Sequence, residues 1–105
     1  MEKLYWTIGE VAEMLGESVS LVRSWADGFP DFVRPARNAK GNRLFTASDV
    51  EALRQIHFLV RVKGMTLRGA AKQLEADRTE TERRVKVLER LKNIRSRLEE
   101  IKKNS

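Results

Sequence analysis

The residues best suited to chemistry in this chain are cations that lie close together. Four basic side chains fall between residues 34 and 43, a stretch without an acidic residue: Arg34, Arg37, Lys40 and Arg43. Guanidinium and ammonium groups donate hydrogen bonds to phosphates and neutralise their charge. The whole chain has a formal net charge of +6, which also favours acidic partners. These cations therefore predict contact with a polyanion, with an ordinary solvated loop as the alternative.

Catalytic and metal chemistry have few candidates. His57 is the single histidine and falls on the apolar face of a predicted helix, which favours a structural role. No paired carboxylates, phosphate-binding glycine loop or metal-ligand spacing accompanies it, and the chain has no cysteine. No apolar run approaches the roughly 20 residues that cross a bilayer, and no signal peptide is recognised. We expect a cytoplasmic protein that is not an enzyme and uses no cofactor, metal or membrane.

Two short helices precede the cationic stretch. Thr7 and Glu10 form a capping box at the start of the first helix, and Gly16 ends it. Ser18 can cap a second helix, which stops at Gly28. This arrangement predicts a helix-turn-helix, although an ordinary helical hairpin has the same pattern. Short hydroxyls and one long cation on the second helix suit entry into a DNA major groove: Ser18, Ser20, Arg23 and Ser24.

The cationic stretch itself predicts a β-hairpin. Apolar residues flank a polar centre over residues 32–45, with a turn around Lys40 and Gly41. Such a hairpin would form a wing whose basic tip lies against the sugar-phosphate backbone. The wing residues expected to contact DNA are Arg37, Asn38, Lys40 and Arg43.

Helices fill the rest of the chain. One is opened by Thr46 and Asp49 and ended by Gly64, and Thr66 caps a short second one. A long final helix is predicted over about residues 79–103, where glycine and proline are absent. Five apolar residues there alternate by four and three, which is typical of a coiled-coil seam: Val87, Leu91, Ile94, Leu98 and Ile101.

The seam predicts a homodimer, with a helix folded back on its own subunit as the alternative. Basic side chains flank the last turns of the seam and would repel one another in a parallel pair: Arg90, Arg95, Arg97 and Lys102. An antiparallel pair brings them towards an acidic stretch: Glu75, Asp77, Glu80 and Glu82. We therefore expect a DNA-binding domain over residues 5–75 and an antiparallel coiled-coil dimerisation helix over residues 77–103.

Residues 5–74, about two thirds of the chain, resemble the MerR-type DNA-binding domain. The matching motifs are YWTIGEVA from Tyr5, SVSLVRSW from Ser18, RPAR from Arg34, GNRLF from Gly41 and GMTL from Gly64. The resemblance implies a mainly α fold, in which a winged helix-turn-helix with a two-stranded wing precedes a helix pair and a long C-terminal dimerisation helix. It also implies DNA contacts at Arg23, Trp25 and Arg43, and Asn42 lies in the same wing motif.

We expect a short member of this family without an effector domain. The resemblance implies sequence-specific binding of double-stranded DNA by a homodimer at a roughly palindromic promoter site, with distortion of the DNA and RNA polymerase as a further partner. Two alternatives stay open. One is an architectural DNA-binding factor of excisionase or packaging type, and the other is an adaptor whose long helix pairs with another coiled coil.

Overall fold

The computed structural model describes residues 3–104 and is mainly helical. Its elements in chain order are α1 (Ile8–Leu15), α2 (Val19–Gly28), β1 (Ala36–Arg37), β2 (Arg43–Leu44), α3 (Ala47–His57), a π-helical turn (Phe58–Val62) and α4 (Leu67–Asn104). The chain forms two compact units, Met1–Ala70 and Ala71–Ser105. The predicted winged helix-turn-helix and long final helix are confirmed. No helix within residues 3–104 is long and apolar enough to cross a membrane.

Local capping explains where the first two helices begin. The Thr7 hydroxyl accepts a hydrogen bond from the Glu10 N–H at 3.2 Å, and the Glu10 carboxylate accepts one from the Thr7 N–H at 3.0 Å. Gly16, with φ of 68°, supplies the left-handed residue that ends α1. The Ser18 hydroxyl then accepts from the Leu21 N–H at 3.1 Å and starts α2. Both caps agree with the sequence prediction.

The wing is a short antiparallel hairpin in which Arg37 lies opposite Arg43. Gly41 in its turn has φ of 81°, a conformation that favours glycine. An isolated bridge between Trp6 and Phe45 extends the pairing, with two backbone hydrogen bonds of 2.8 Å. The chain ahead of α1 thus pairs with the wing through Trp6. The sequence did not predict this pairing.

Apolar side chains from α1, α2, α3 and the wing form the core of the first unit. Its largest fully buried side chains are Trp25, Phe45, Leu53, Ile56, Val11 and Val22. Asp49, at 5% exposure, is the one charged residue that is buried among residues 3–104. Its carboxylate accepts from the backbone N–H groups of Arg34 at 2.9 Å and Thr46 at 3.0 Å. The Asp49 carboxylate therefore has two roles: it helps to cap α3, and it holds the backbone at Arg34 just ahead of the wing.

The end of α3 is wider than a normal α-helix. The π-helical turn is closed by a hydrogen bond of 3.0 Å from the Lys63 N–H to the Phe58 carbonyl. Gly64, with φ of 70°, ends the helical segment as predicted. The widening was not predicted, because apolar periodicity does not distinguish α-helical from π-helical turns.

The final helix is longer than predicted. The sequence suggested a short helix after Thr66 and a separate one from about residue 79, whereas α4 is continuous from Leu67 to Asn104. The division was wrong because the loss of apolar spacing at residues 75–79 does not break a helix. Extending an existing helix costs less than nucleating a new one, and Arg78 pairs with Glu75 at 2.6 Å across this stretch.

Candidate nucleic-acid interface

Arg23 on α2 and the arginines of the wing line one concave surface, called here the basic cleft. Its volume is about 420 Å³, and its lining residues are Thr7, Ile8, Arg23, Arg37, Asn38, Gly41, Asn42, Arg43 and Leu44. The structure thus brings the expected cation of the second helix together with two expected cations of the wing, Arg37 and Arg43, while Lys40 does not line the cleft. On α2, the neighbouring Ser20 and Ser24 are exposed.

The turn of the wing is organised by Asn38. Its side-chain oxygen accepts hydrogen bonds from the backbone N–H groups of Lys40 and Asn42, both at 3.0 Å. Arg37 donates through Nη1 to the Gly41 carbonyl at 2.9 Å. Asn38 therefore shapes the tip, while the exposed Lys40 side chain extends from a turn that is already fixed.

Arg43 bridges the wing and α2. Its Nη2 atom lies 2.7 Å from Oδ1 of Asp27, with 22% of the Arg43 side chain and 58% of the Asp27 side chain exposed. Sequence reasoning missed Asp27. One signal was present. A negative charge in the last turn of a helix interacts unfavourably with the helix dipole, so Asp27 at this position indicates a partner elsewhere in the fold.

Trp25 does not belong to the exposed surface. The resemblance implied a DNA contact for this aromatic residue, but its side chain is only 2% exposed. Its ring centroid lies 6.0 Å from that of His57, at an interplanar angle of 59°. We correct its assignment from a DNA contact to a core residue that supports α2 from behind. Ser18 is exposed and caps α2, and its DNA contact stays a prediction.

Glu17, in the turn between α1 and α2, links this turn to the end of α3. Its Oε1 atom lies 3.2 Å from Nε2 of His57 and accepts from Nε of Arg61 at 3.1 Å. Only 14% of the Glu17 side chain is exposed. His57 therefore lies in a structural contact, the role its apolar position indicated.

Charged contacts also stabilise the start of α1. A hydrogen bond from the Lys3 ammonium group and one from the Thr7 backbone N–H lower the pKa of Glu10 from 4.5 to about 2. In the second unit, the guanidinium groups of Arg83 and Arg84 lower the pKa of Glu80. Glu80 is thus already paired along its own helix.

The predicted seam on α4 is exposed in the single chain. Its members are 49% to 67% exposed: Val87, Leu91, Ile94, Leu98 and Ile101. Val85 and Leu88 are 48% and 65% exposed and do not belong to this stripe. A regular apolar stripe of this length is unusual on a solvated helix, so the seam remains a predicted interface.

Residues 6–77 match the family described as MerR HTH family regulatory protein. The chain belongs to this family. The family name describes regulatory proteins that contain a helix-turn-helix, the motif that α1 and α2 form in this chain. The exposed cations of the basic cleft lie within the matched residues.

One curated relative is a phage protein that is also named as a regulator. Regulator protein TubY of a Clostridium botulinum C phage is 33% identical over 87 residues, which are 83% of this chain and 36% of TubY. The chain therefore spans about a third of that relative's length.

Solved structures of MerR-family regulators have a similar fold. HiNmlR, described as lacking the sensor domain and bound to promoter DNA, gives a TM-score of 0.56 at 23% identity, over 95% of this chain and 81% of HiNmlR. A Bacillus thuringiensis regulator gives 0.54 at 24% identity, over 96% of both chains. A Bacillus cereus regulator gives 0.51 at 26% identity, over 81% of this chain and 75% of that one.

Proposed function

We propose that the protein binds a specific double-stranded promoter sequence as a homodimer, with α2 in the major groove and the wing on the sugar-phosphate backbone. The observation that carries this proposal is the basic cleft, where Arg23 of α2 and Arg37 and Arg43 of the wing line one surface. A groove-reading helix needs backbone contacts beside it to fix its register, and the wing supplies cations for them. HiNmlR, with a similar fold, is bound to promoter DNA.

The two elements would have different tasks. Arg23 is long enough to reach a base edge, and Ser20 and Ser24 are short enough to let the helix approach the groove. Lys40 at the tip of the wing would neutralise a phosphate without regard to sequence. Removal of Arg23 should therefore relax specificity, whereas removal of Lys40 should weaken binding to every duplex similarly.

The seam of α4 supports the dimer in this proposal. Pairing two protomers covers apolar side chains that are about half exposed on one chain. A two-fold protein implies a roughly palindromic operator, with the two recognition helices in successive major grooves. We further propose that the dimer distorts promoter DNA and thereby acts on RNA polymerase.

The cations that flank the seam support an antiparallel orientation, and cysteine crosslinking tests this proposal. The chain has no cysteine, so single substitutions report cleanly. In a parallel dimer, both Val87→Cys and Leu98→Cys would form disulfides with their own copies. In an antiparallel dimer, at most one of these positions lies near the two-fold axis. Efficient self-crosslinking at both positions would refute the antiparallel arrangement.

Selection from random DNA duplexes, followed by fluorescence anisotropy, tests the DNA-binding proposal. We expect one roughly palindromic motif, and its genomic position distinguishes promoters from the attachment or packaging sites of an architectural factor. Arg23→Ala should cost about 1–3 kcal/mol at the specific site. Lys40→Ala should make the salt slope shallower by about one unit.

Lys63→Ala serves as the matched control for Lys40→Ala. Lys63 is also exposed, but it lies outside the wing, with its ammonium group 5.6 Å from the centre of the Phe58 ring. Its loss should leave the salt slope unchanged. Equal slopes for the Lys40 and Lys63 variants, or failure to recover any motif, would contradict the proposed interface.

A further inference from the structure

The pair formed by Asp27 and Arg43 places an acidic residue inside the proposed DNA-binding surface. Arg43 lines the basic cleft and also a second concavity of about 290 Å³, which Asp27 and Arg37 line as well. Asp27 contributes the acidic side chain among the lining residues of these two concavities. A carboxylate 2.7 Å from a guanidinium group occupies the position that a phosphate oxygen would take.

We infer that Asp27 acts as an internal competitor of DNA phosphate for Arg43 and thereby lowers the affinity of the protein for DNA of every sequence. This inference rests on the proposed function of the basic cleft. In the free protein, Asp27 neutralises Arg43. A phosphate that approaches Arg43 must either break the ion pair with Asp27 or stay close to its negative charge. Both cost free energy and weaken the binding of the phosphate.

The surroundings of Asp27 support this role over one in helix stability. Asp27 lies in the last turn of α2, where a negative charge opposes the helix dipole, and this turn contains no basic residue. The Asp27 side chain is 58% exposed, so solvent and ligands reach it. The Arg43 side chain is only 22% exposed, so its guanidinium group stays in place when its partner changes from the Asp27 carboxylate to a phosphate.

Asp27→Asn tests the inference, since it removes the charge and keeps the shape of the side chain. Released Arg43 adds about one phosphate contact, so the salt slope should steepen by about one unit. Affinity for an unrelated duplex should rise, and the gain should be about fourfold larger at 50 mM than at 200 mM salt, as one unit of slope requires. Thermal unfolding confirms that the variant is folded.

Two comparisons isolate the pair from general charge effects. Glu51→Gln removes one negative charge from an exposed position on α3 that lines neither concavity, and it should leave the slope nearly unchanged. In an Arg43→Gln background, the effect of Asp27→Asn should largely disappear, because no cation remains to be released.

Each result has a distinct meaning. Weaker DNA binding by Asp27→Asn would show that the pair only orients the wing, and it would overturn the inference while leaving the proposed function intact. An effect equal to that of Glu51→Gln would overturn it as well. Wild-type protein that binds no duplex at low salt would instead overturn the proposed function itself.

Discussion

Two valines on α4 offer a matched test of the dimer. Val85 and Val87 are 48% and 49% exposed in the single chain, yet only Val87 belongs to the seam. At 3.6 residues per turn, positions two apart point about 160° away from each other. Val87→Ala should therefore weaken the dimer, and Val85→Ala should leave it unchanged. The gain in helix propensity is the same in both variants and cancels in the comparison.

The size of the effect follows from the exposure of Val87. Valine to alanine removes two methyl-sized groups, worth about 1.6 kcal/mol when they pass fully from water to an apolar interface. About half of the side chain is already covered in the single chain, so the interface adds about 0.8 kcal/mol per protomer. Two copies give about 1.6 kcal/mol, or a dimer dissociation constant raised about 15-fold.

Sedimentation equilibrium over a concentration series measures this constant directly. The two variants should separate by about one order of magnitude, with Val85→Ala superimposed on the wild type. Equal weakening by both variants would place the interface on a wider face of α4 than the proposed seam. No weakening by either would remove the seam from the dimer altogether.

Three further predictions concern the fold that presents the cleft. Trp25→Ala should destabilise the protein by about 3–5 kcal/mol, measured by chemical unfolding, because it leaves a cavity in the core. A variant as stable as the wild type would contradict the burial of Trp25. Asp49→Ala should cost about 1–3 kcal/mol, because it leaves two backbone N–H groups without their acceptor, and Asp49→Asn should cost less. The stabilising contact of Glu10 should be fully present above pH 4.5 and lost as the pH falls towards 2, since folding lowers its pKa. The difference in unfolding midpoint between wild type and Glu10→Gln should shrink over that interval; a constant difference would contradict the contact with Lys3.

Features set by neighbouring residues could be predicted from the sequence. Thr7, Ser18 and Thr46 each cap a helix through a hydrogen bond to an N–H three residues ahead, and such spacing is visible in the chain itself. Gly16 and Gly64 have the positive φ that helix ends require. The winged helix-turn-helix followed from these signals and from the motifs that resemble the MerR family.

Features set by distant residues could not be predicted in the same way. Asp27 and Arg43 are 16 positions apart, and their pairing depends on how the wing packs against α2. The burial of Trp25 depends on the position of α3, since an aromatic residue on a short helix suits either the core or a surface. The unbroken course of α4 was missed for another reason, because apolar spacing reports which face is covered rather than whether the backbone stays helical.

Asn38 holds the turn of the wing through backbone groups and not through the side chains of its neighbours. Its side chain accepts from main-chain N–H groups at positions 40 and 42, and every amino acid except proline carries that group. Side chains at these two positions can therefore be exchanged while the hairpin keeps its shape. If the wing contacts DNA as proposed, single substitutions at positions 40 and 42 can change its affinity for DNA without unfolding the hairpin.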